Sequence, residues 1–534
     1  MARISRRDFI KLAGAASLLP LAGNLPQVSD LPLIGRLPTG QRLALPAVAH
    51  PGQESSPPNV IIILLDALSA FNLSVYDYPR RTSPNLEKFA QRATVFHGHH
   101  SGGNFTTPST ASLFTGQYPW THRALSLSGL ITRSVLPYNL FEQLEQGLRS
   151  YFTMSFTQNI YADMLLYQFE KHLKRHPQLD NFSRAGHTFY DNFFRRDGVY
   201  AMKSVDQFLF LREQAHGSLF LSILSDLALT LRSKLEARRL AGIYPEGLPR
   251  LSNTDVAFVL SEVIDGVIGL VDDLQPVSPF FSYLHLMPPH QPYTPTRPFI
   301  GIFDDGWNPE PKKKHRLASG LSEERLDVLR RTYDEFIANL DDELGRLFDH
   351  LEHSGLMENS YVILTSDHGE MFERGEHGHS TPLVFEPVIR IPLLVHAPGQ
   401  QARQDVHALT SNVDLLPTLL HIAGLPIPEW AQGQVLPGLG GQADAQREVF
   451  VVEAKKNPAH NPLSKATVAM LRGQHKLVHY LGYKYYPDNY EFYDLANDPG
   501  EQNNLYPDHP LAREFQAELD QKLAQADHPY QNQP

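Results

Sequence analysis

The chain contains no cysteine in 534 residues. Disulfides, thiolate metal ligands and a cysteine nucleophile are therefore all excluded. Basic residues are also in deficit, with 47 Lys and Arg against 58 Asp and Glu and a net charge of −11. That balance excludes a general nucleic-acid binder, which needs basic surface to displace counterions. It leaves room for an anionic substrate, because one small positive pocket can sit in an acidic surface. No internal repeat is visible, and the apolar run near the N-terminus is too short to span a bilayer. What is present, 42% hydrophobic and 20% charged residues, is the composition of a soluble globular protein. The length suits one large domain and a smaller one.

The N-terminus reads Ser5-Arg6-Arg7-Asp8-Phe9-Ile10-Lys11 and continues as an apolar run to about Leu21. A basic start and a short apolar run make a signal-peptide pattern, here residues 1–25. The paired arginines resemble the twin-arginine export signal, which implies a prokaryotic, periplasmic or extracellular protein and the twin-arginine translocase as a partner during export. Ala47-Val48-Ala49 has the residue types of a cleavage site but lies far downstream. Residues 26–58, rich in Pro, Leu and Gly without periodicity, read as a linker.

The folded part begins at Asn59. Val60–Leu65 is an unbroken, β-branched-rich run of strand length, as expected of a strand buried on both faces. Similar runs occur at Phe280–Leu286, Tyr361–Thr365 and Pro392–His396. A helical pattern over Glu323–His353 places Leu326, Leu329, Tyr333, Phe336, Leu340, Leu344 and Leu347 at three- and four-residue steps. Alternating strands and helices predict an α/β fold with a mostly parallel sheet sandwiched by helices over residues 59–445. Short strands at Val449–Glu453, Thr467–Leu471, Lys476–Leu481 and Glu491–Leu495, then a helix near Leu511–Ala526, predict a small antiparallel-sheet subdomain over 446–534. Residues 160–275 read as a mostly helical insertion. Its apolar stretch Leu219–Leu229 suits a lid packed on its own domain, or contact with a membrane or lipid-like substrate without spanning.

In an open parallel sheet, functional groups gather beyond the carboxyl ends of the strands. Asp66 follows the first apolar run, Asp367-His368 follow the third, and His290 follows Phe280–Leu286. A lone Asp after a strand is commonly a helix cap; only the set as a whole points to a metal site. In Thr106-Thr107-Pro108-Ser109-Thr110, Thr107 suits an N-cap, Pro108 a first turn, and Gly116 the helix end. Thr106 would then sit just before a helix N-terminus, where unpaired N–H groups favour negative charge. A hydroxyl there, touching a divalent cation, can lose its proton near neutral pH and attack. Taken alone, that segment is better explained as a capped helix with a Thr-rich start. His97, His99 and His100 suit a solvated loop, a pocket lining or a second metal site. His377 suits a surface turn, and is a rival to His379.

These segments, in order, resemble the sulfatase branch of the alkaline phosphatase superfamily. The nucleophile segment of sulfatases, Cys/Ser-x-Pro-x-Arg ending in Leu-Leu-Thr-Gly, is similar to Thr106-Thr107-Pro108-Ser109-Thr110 ending in Leu113-Phe114-Thr115-Gly116. His285 to Tyr293 is similar to the stretch whose Pro-His-x-Pro histidine touches substrate. Asn412 to Leu420 and Tyr493 to Leu505 resemble two structural hallmarks. The resemblance implies an alkaline phosphatase-like fold and cleavage of a phosphate or sulfate ester.

The departures carry as much information. Sulfatases oxidise Cys or Ser to formylglycine beside an Arg, whereas this chain has Thr106 and Thr110, so no formylglycine is expected. Their second Asp is Ala67 here, and their Asp-Asn pair on calcium is Asp367-His368. Phosphoethanolamine transferases and lipoteichoic acid synthases share the Thr nucleophile, the Asp-His pair and a His-Gly-x-Pro similar to His379-Ser380-Thr381-Pro382. The resemblance therefore implies one divalent cation on Asp66, Thr106, Asp367 and His368, zinc or manganese rather than calcium. His290 and His379 are the catalytic and substrate-binding candidates, with His285 supporting His290. The substrate is a small-molecule, lipid or glycan ester. A head-group transferase and a non-catalytic binder of anionic glycan or lipid are the alternatives.

Overall fold

The computed structural model describes residues 57–147, 150–179, 181–185, 231, 234–251, 256–484, 486 and 489–531. The signal peptide, nearly all of the linker and the stretch Leu219–Leu229 lie outside the described residues.

The strands β1 (Asn59–Leu65), β2 (Thr94–His100), β3 (Phe152–Thr157), β4 (Phe280–Leu286), β5 (Ser360–Ser366), β6 (Leu393–His396) and β7 (Gln404–Ser411) form one sheet in the order β7-β2-β6-β5-β1-β4-β3. All residues of β1 and β4 are buried, which is why β1 is an unbroken apolar run after Asn59 and β4 is apolar on both faces except at Ser282 and His285, rather than alternating. The sheet is mostly parallel, as expected: β1 pairs in parallel with β4 and β5, β3 with β4, and β2 with β7. The strand β6 alone opposes both its neighbours, β2 and β5. A strand buried between two others reads as an apolar run in either direction, so the segment at Pro392–His396 carried no sign of this.

Helices flank the sheet. Val60, Ile62 and Leu64 of β1 share a core with Leu113 and Phe114 of α1 (Thr106–Thr115), Leu165 and Leu166 of α2 (Ile160–Gln168) and Leu416 and Leu420 of α5 (Leu415–Ile422). The helix α3 (Leu260–Asp272) buries Val263, Ile264, Val267 and Val271. Thus both ends of the expected insertion, α2 and α3, are helices with buried apolar faces. The helix α4 (Glu323–His353) begins at Ser322, whose side chain accepts from the Arg325 N–H. Its buried stripe includes Leu326, Tyr333, Phe336, Leu340, Leu344 and Leu347. Tyr333 reaches the end of β1, where its hydroxyl donates to the Ala67 carbonyl at 2.6 Å.

A second sheet, β8 (Glu448–Glu453), β9 (Ala466–Arg472), β10 (His475–Leu481) and β11 (Tyr490–Asp494), is antiparallel in consecutive order. Alternation divides its faces. Phe450, Val452, Val468, Met470 and Phe492 pack on Phe515 and Leu519 of α6 (Ala512–Asp527). Val449, Val451, Ala469, Leu471 and Val478 face Val384, Phe385 and Ile389, just before β6. Among the described residues no helix is long and apolar enough to cross a membrane.

Candidate active site

The strands β1, β3, β4 and β5 point the same way, so their carboxyl ends open on one rim. The sheet order turns at β1, which has β4 on one side and β5 on the other. That is where an open α/β sheet leaves a crevice. Asp66 follows β1, Asn159 lies two residues past β3, His285 is the penultimate residue of β4, and Asp367 and His368 follow β5. Because β6 opposes both β2 and β5, the end of β2 faces this rim too, and the loop Ser101–Phe105 carries the chain from it into α1.

The start of α1 corrects the expected cap. The helix begins at Thr106, with Phe105 as N-cap in extended conformation and no side-chain cap. Thr107 does not cap, because its hydroxyl donates to the Leu127 carbonyl. Pro108 is the third helical residue, still within the turn whose N–H groups lack helical acceptors. Gly116 ends the helix as expected, at φ +62°, with its N–H on the Ser112 carbonyl at 2.8 Å. Thr106 therefore sits in the first turn itself, at the positive end of the helix dipole. The preceding loop lies tight on α1: a Cβ on Gly102 would come within 2.8 Å of Ser112 Oγ. Asn412 clamps the two together, accepting from the Gly102 N–H at 2.9 Å and donating to the Ser109 carbonyl at 2.8 Å. This is the physical content of the Asn412 hallmark, and it is structural.

Asp66, Asp367, His368 and Thr106 come together in a buried cluster. His368 Nε2 lies 3.6 Å from Asp66 Oδ1, 3.4 Å from Asp367 Oδ2 and 3.4 Å from Thr106 Oγ1. Asp66 Oδ1 and Asp367 Oδ2 are buried without a hydrogen-bond partner among the described residues. Two unpartnered carboxylate oxygens beside one imidazole nitrogen and one hydroxyl are a set that could hold a divalent cation. His368 Nδ1 donates to the Gly369 carbonyl at 3.0 Å, the arrangement that leaves Nε2 as a lone-pair donor.

His285 also enters this cluster: one ligand atom from each of Asp66, His285 and Asp367 lies within 4.8 Å of the others. Its nitrogens are committed, however, Nε2 to Asp66 Oδ2 at 3.2 Å and Nδ1 to the Tyr283 hydroxyl at 3.0 Å. It holds Asp66 rather than supporting His290, which corrects the expectation. Burial alone would raise both carboxyls. The charge of His290 and the hydrogen bond from His285 nonetheless hold Asp66 below its ordinary value. The charge of Asp66 adds to burial in holding Asp367 above its own. Burial lowers His368, keeping it the neutral imidazole that a metal ligand must be.

The outer rim is made by histidines. His290 is half-buried, its Nδ1 on the Gln291 carbonyl at 2.7 Å, and its ring lies 5.1 Å from that of His379. The His379 ring lies 4.1 Å from that of His368, tilted by 35°, and bonds buried Glu370 through Nδ1 at 3.1 Å. Burial and the charge of His290 push His379 down to about 3. Asn104 ties the two loops together, donating to the carbonyls of His379 and Thr381 at 2.9 and 2.8 Å. His377 lies in a short hairpin strand, Glu376–Gly378, rather than a surface turn, and meets the Tyr293 hydroxyl at 2.9 Å.

His97, His99 and His100 are not in a solvated loop. They lie on β2, where imidazoles interrupt the apolar pattern that marks the other strands. His97 bonds Asp405 at 2.7 Å, His99 bonds Thr410 at 3.0 Å, and His100 bonds Glu386 at 3.0 Å. The reading of the sequence missed Asn159, Glu370 and Lys455. Asn159 donates through Nδ2 to Asp66 Oδ2 at 2.5 Å and to Thr106 Oγ1 at 3.2 Å. Its signal was position alone, two residues beyond a strand. Lys455, two residues past β8, donates to the Ser380 carbonyl beside His379.

The sulfatase family matches residues 58–425. The C-terminal part of N-sulphoglucosamine sulphohydrolase matches residues 375–528. Arylsulfatase K of Bos taurus is 33% identical over 215 residues, 38% of this chain and 37% of that protein. The match therefore spans little more than a third of that relative's length. Choline-sulfatase of Rhizobium meliloti (strain 1021) is 25% identical over 482 residues, 84% of this chain and 82% of that one. The crystal structure of phosphonate monoester hydrolase from Agrobacterium radiobacter superposes with a TM-score of 0.62 at 20% identity, covering 88% of this chain and 96% of that one. The last likeness speaks to the fold.

Proposed function

The chain belongs to the sulfatase family, and from that footing we propose an exported, metal-dependent hydrolase of a phosphate or sulfate ester with Thr106 as nucleophile. The observation that carries this reading is the pair of buried, unpartnered oxygens, Asp66 Oδ1 and Asp367 Oδ2, beside His368 Nε2 and Thr106 Oγ1. Asp66, Asp367, His368 and Thr106 would hold one cation, and the imidazole favours zinc or manganese over calcium. Such a cation supplies a lowered pKa for a hydroxyl on it and neutralises charge on the bound ester.

The chain's own groups do the rest. Thr106 Oγ1, having lost its proton to solvent, attacks phosphorus or sulfur, the bond to the leaving oxygen breaks, and the leaving alcohol takes a proton. Water then cleaves the ester on Thr106. His290 faces solvent and is placed to supply the proton to the leaving oxygen. Glu370, whose carboxyl burial raises, can donate to Nδ1 of the neutral His379 and leave its one N–H at Nε2, placed for a nonbridging oxygen. Phosphorus is our first choice, because a threonine cannot give the aldehyde that sulfatases use. The extended match to a choline-sulfatase keeps sulfate as the second. Residues 1–25 support export.

Parallel turnover of chromogenic phosphate monoester, phosphodiester, phosphonate and sulfate substrates tests the reading. We expect chelation to abolish turnover and zinc or manganese to restore it. Thr106→Ala should lose about three orders of magnitude or more in kcat, whereas Thr107→Ala should stay within about threefold. A metal-independent enzyme, or an active Thr106→Ala beside an inactive Thr107→Ala, would overturn the assignment.

A further inference from the structure

We propose that Asn159 is the positioning residue that orients both Asp66 and the attacking oxygen of Thr106; the inference rests on Thr106 being the nucleophile. Asn159 lies between β3 and α2 and is 1% exposed. Its Oδ1 caps α2, accepting from the N–H groups of Tyr161 at 2.8 Å and Ala162 at 3.4 Å. That settles which end of the carboxamide faces the site. Turned over, it would set an oxygen 2.5 Å from Asp66 Oδ2 and remove the acceptor from two helix N–H groups.

The amide nitrogen has two hydrogens and two acceptors, Asp66 Oδ2 at 2.5 Å and Thr106 Oγ1 at 3.2 Å. Asp66 Oδ2 also receives His285 Nε2 at 3.2 Å. One oxygen of Asp66 is thus held by two donors from the protein, while Oδ1 has none. Asn159 divides the carboxylate: Oδ2 is committed to the fold and Oδ1 is left for a cation. The same nitrogen donates to Thr106 Oγ1, which favours the oxygen in its negatively charged form and fixes its direction. A helix cap alone would require only Oδ1.

Asn159→Ser and Asn159→Thr separate these roles, because both keep a side-chain oxygen that caps α2 and both lack the NH2 group, without setting a second carboxylate against Asp66. Three quantities decide: melting temperature, zinc affinity by competition with a chromogenic chelator, and kcat with KM for a chromogenic ester. We expect both variants to keep the wild-type melting temperature within a few degrees. Zinc affinity should fall about tenfold to a hundredfold, and kcat about a hundredfold, with KM within about twofold. Wild-type zinc affinity and kcat in Asn159→Ser would overturn the inference. So would losses that track a collapse of melting temperature in both variants, which would make Asn159 only a cap. Thr106→Ala, measured alongside, keeps the two readings apart. Full activity there sinks the nucleophile assignment, whereas an inactive Thr106→Ala beside a wild-type Asn159→Ser sinks the Asn159 role alone.

Discussion

His368 presents Nε2 to two carboxylates and a hydroxyl because its other nitrogen is occupied by the Gly369 carbonyl at 3.0 Å. The backbone around it is equally constrained. Ala67 adopts φ +61°, costly for a residue with a Cβ, and its N–H donates to Asp367 Oδ1 at 3.2 Å. That bond and one from the His368 N–H at 2.9 Å saturate Asp367 Oδ1 and leave Oδ2 open. If one imidazole sets the metal preference, His368→Asn should reverse it. We expect zinc affinity to fall at least about tenfold while calcium affinity holds or rises, measured by competition titration. Asp66 and Asp367 were legible because each immediately follows an apolar strand, and His368 because it adjoins Asp367. Asn159 was not, because β3 is a mixed run, Phe152–Thr157, and the residue sits one position further on. No pattern in a single sequence distinguishes a capping Asn from one whose nitrogen reaches an active site.

At the scale of elements, the ends of strands carry the chemistry and a buried ion cluster fixes where the second sheet meets the first. Lys476 of β10 pairs with Glu501 at 2.7 Å and Glu386 at 3.2 Å, and His100 of β2 meets Glu386 at 3.0 Å. Burial alone would raise Glu386 above 4.5, but the charges of His100 and Lys476 outweigh it and hold the carboxyl below that value. Its stabilisation is therefore full above 4.5 and is lost as pH falls through the lowered value. Glu501, raised first by burial and further by the charge of Glu386, works in the opposite sense and loses its share as pH rises. Glu386→Gln removes the first contribution. It should be about 1–3 kcal/mol less stable at neutral pH. Its urea midpoint should also fall less steeply than the wild type's between about pH 5 and pH 3. A variant as acid-sensitive as the wild type would contradict that role. The apolar strands β1, β4, β5 and β6, the four strands of the second sheet and α4 were legible from their periods, whereas β2, β3 and β7 were not, because polar residues interrupt them. The first residue of α1 was not, because a Thr-rich start offers several caps and only Thr107's bond to Leu127 removes one.

Across the whole molecule, the second sheet does more than cover the first. The turn after β8 brings Lys455 to the carbonyl of Ser380, beside His379, and so places a cation from the C-terminal part at the rim proposed to hold the ester. Burial lowers the Lys455 pKa, and the charge of Glu453 opposes that shift. If Lys455 helps to hold the ester's charge in ground and transition states alike, Lys455→Met should raise KM about tenfold and leave kcat within about twofold in steady-state assays. The α/β class and the appended antiparallel subdomain follow from hydrophobic patterning, which long elements display strongly. The contact between Lys455 and Ser380 joins residues 75 positions apart, and nothing local records it. The proposed mechanism turns on one covalent bond. Rapid quench of the metal-loaded protein with a chromogenic ester, followed by mass mapping of the peptide spanning α1, should find a phosphoryl or sulfuryl group on Thr106. A burst of product with no adduct on Thr106, or an adduct on Thr107, would contradict it.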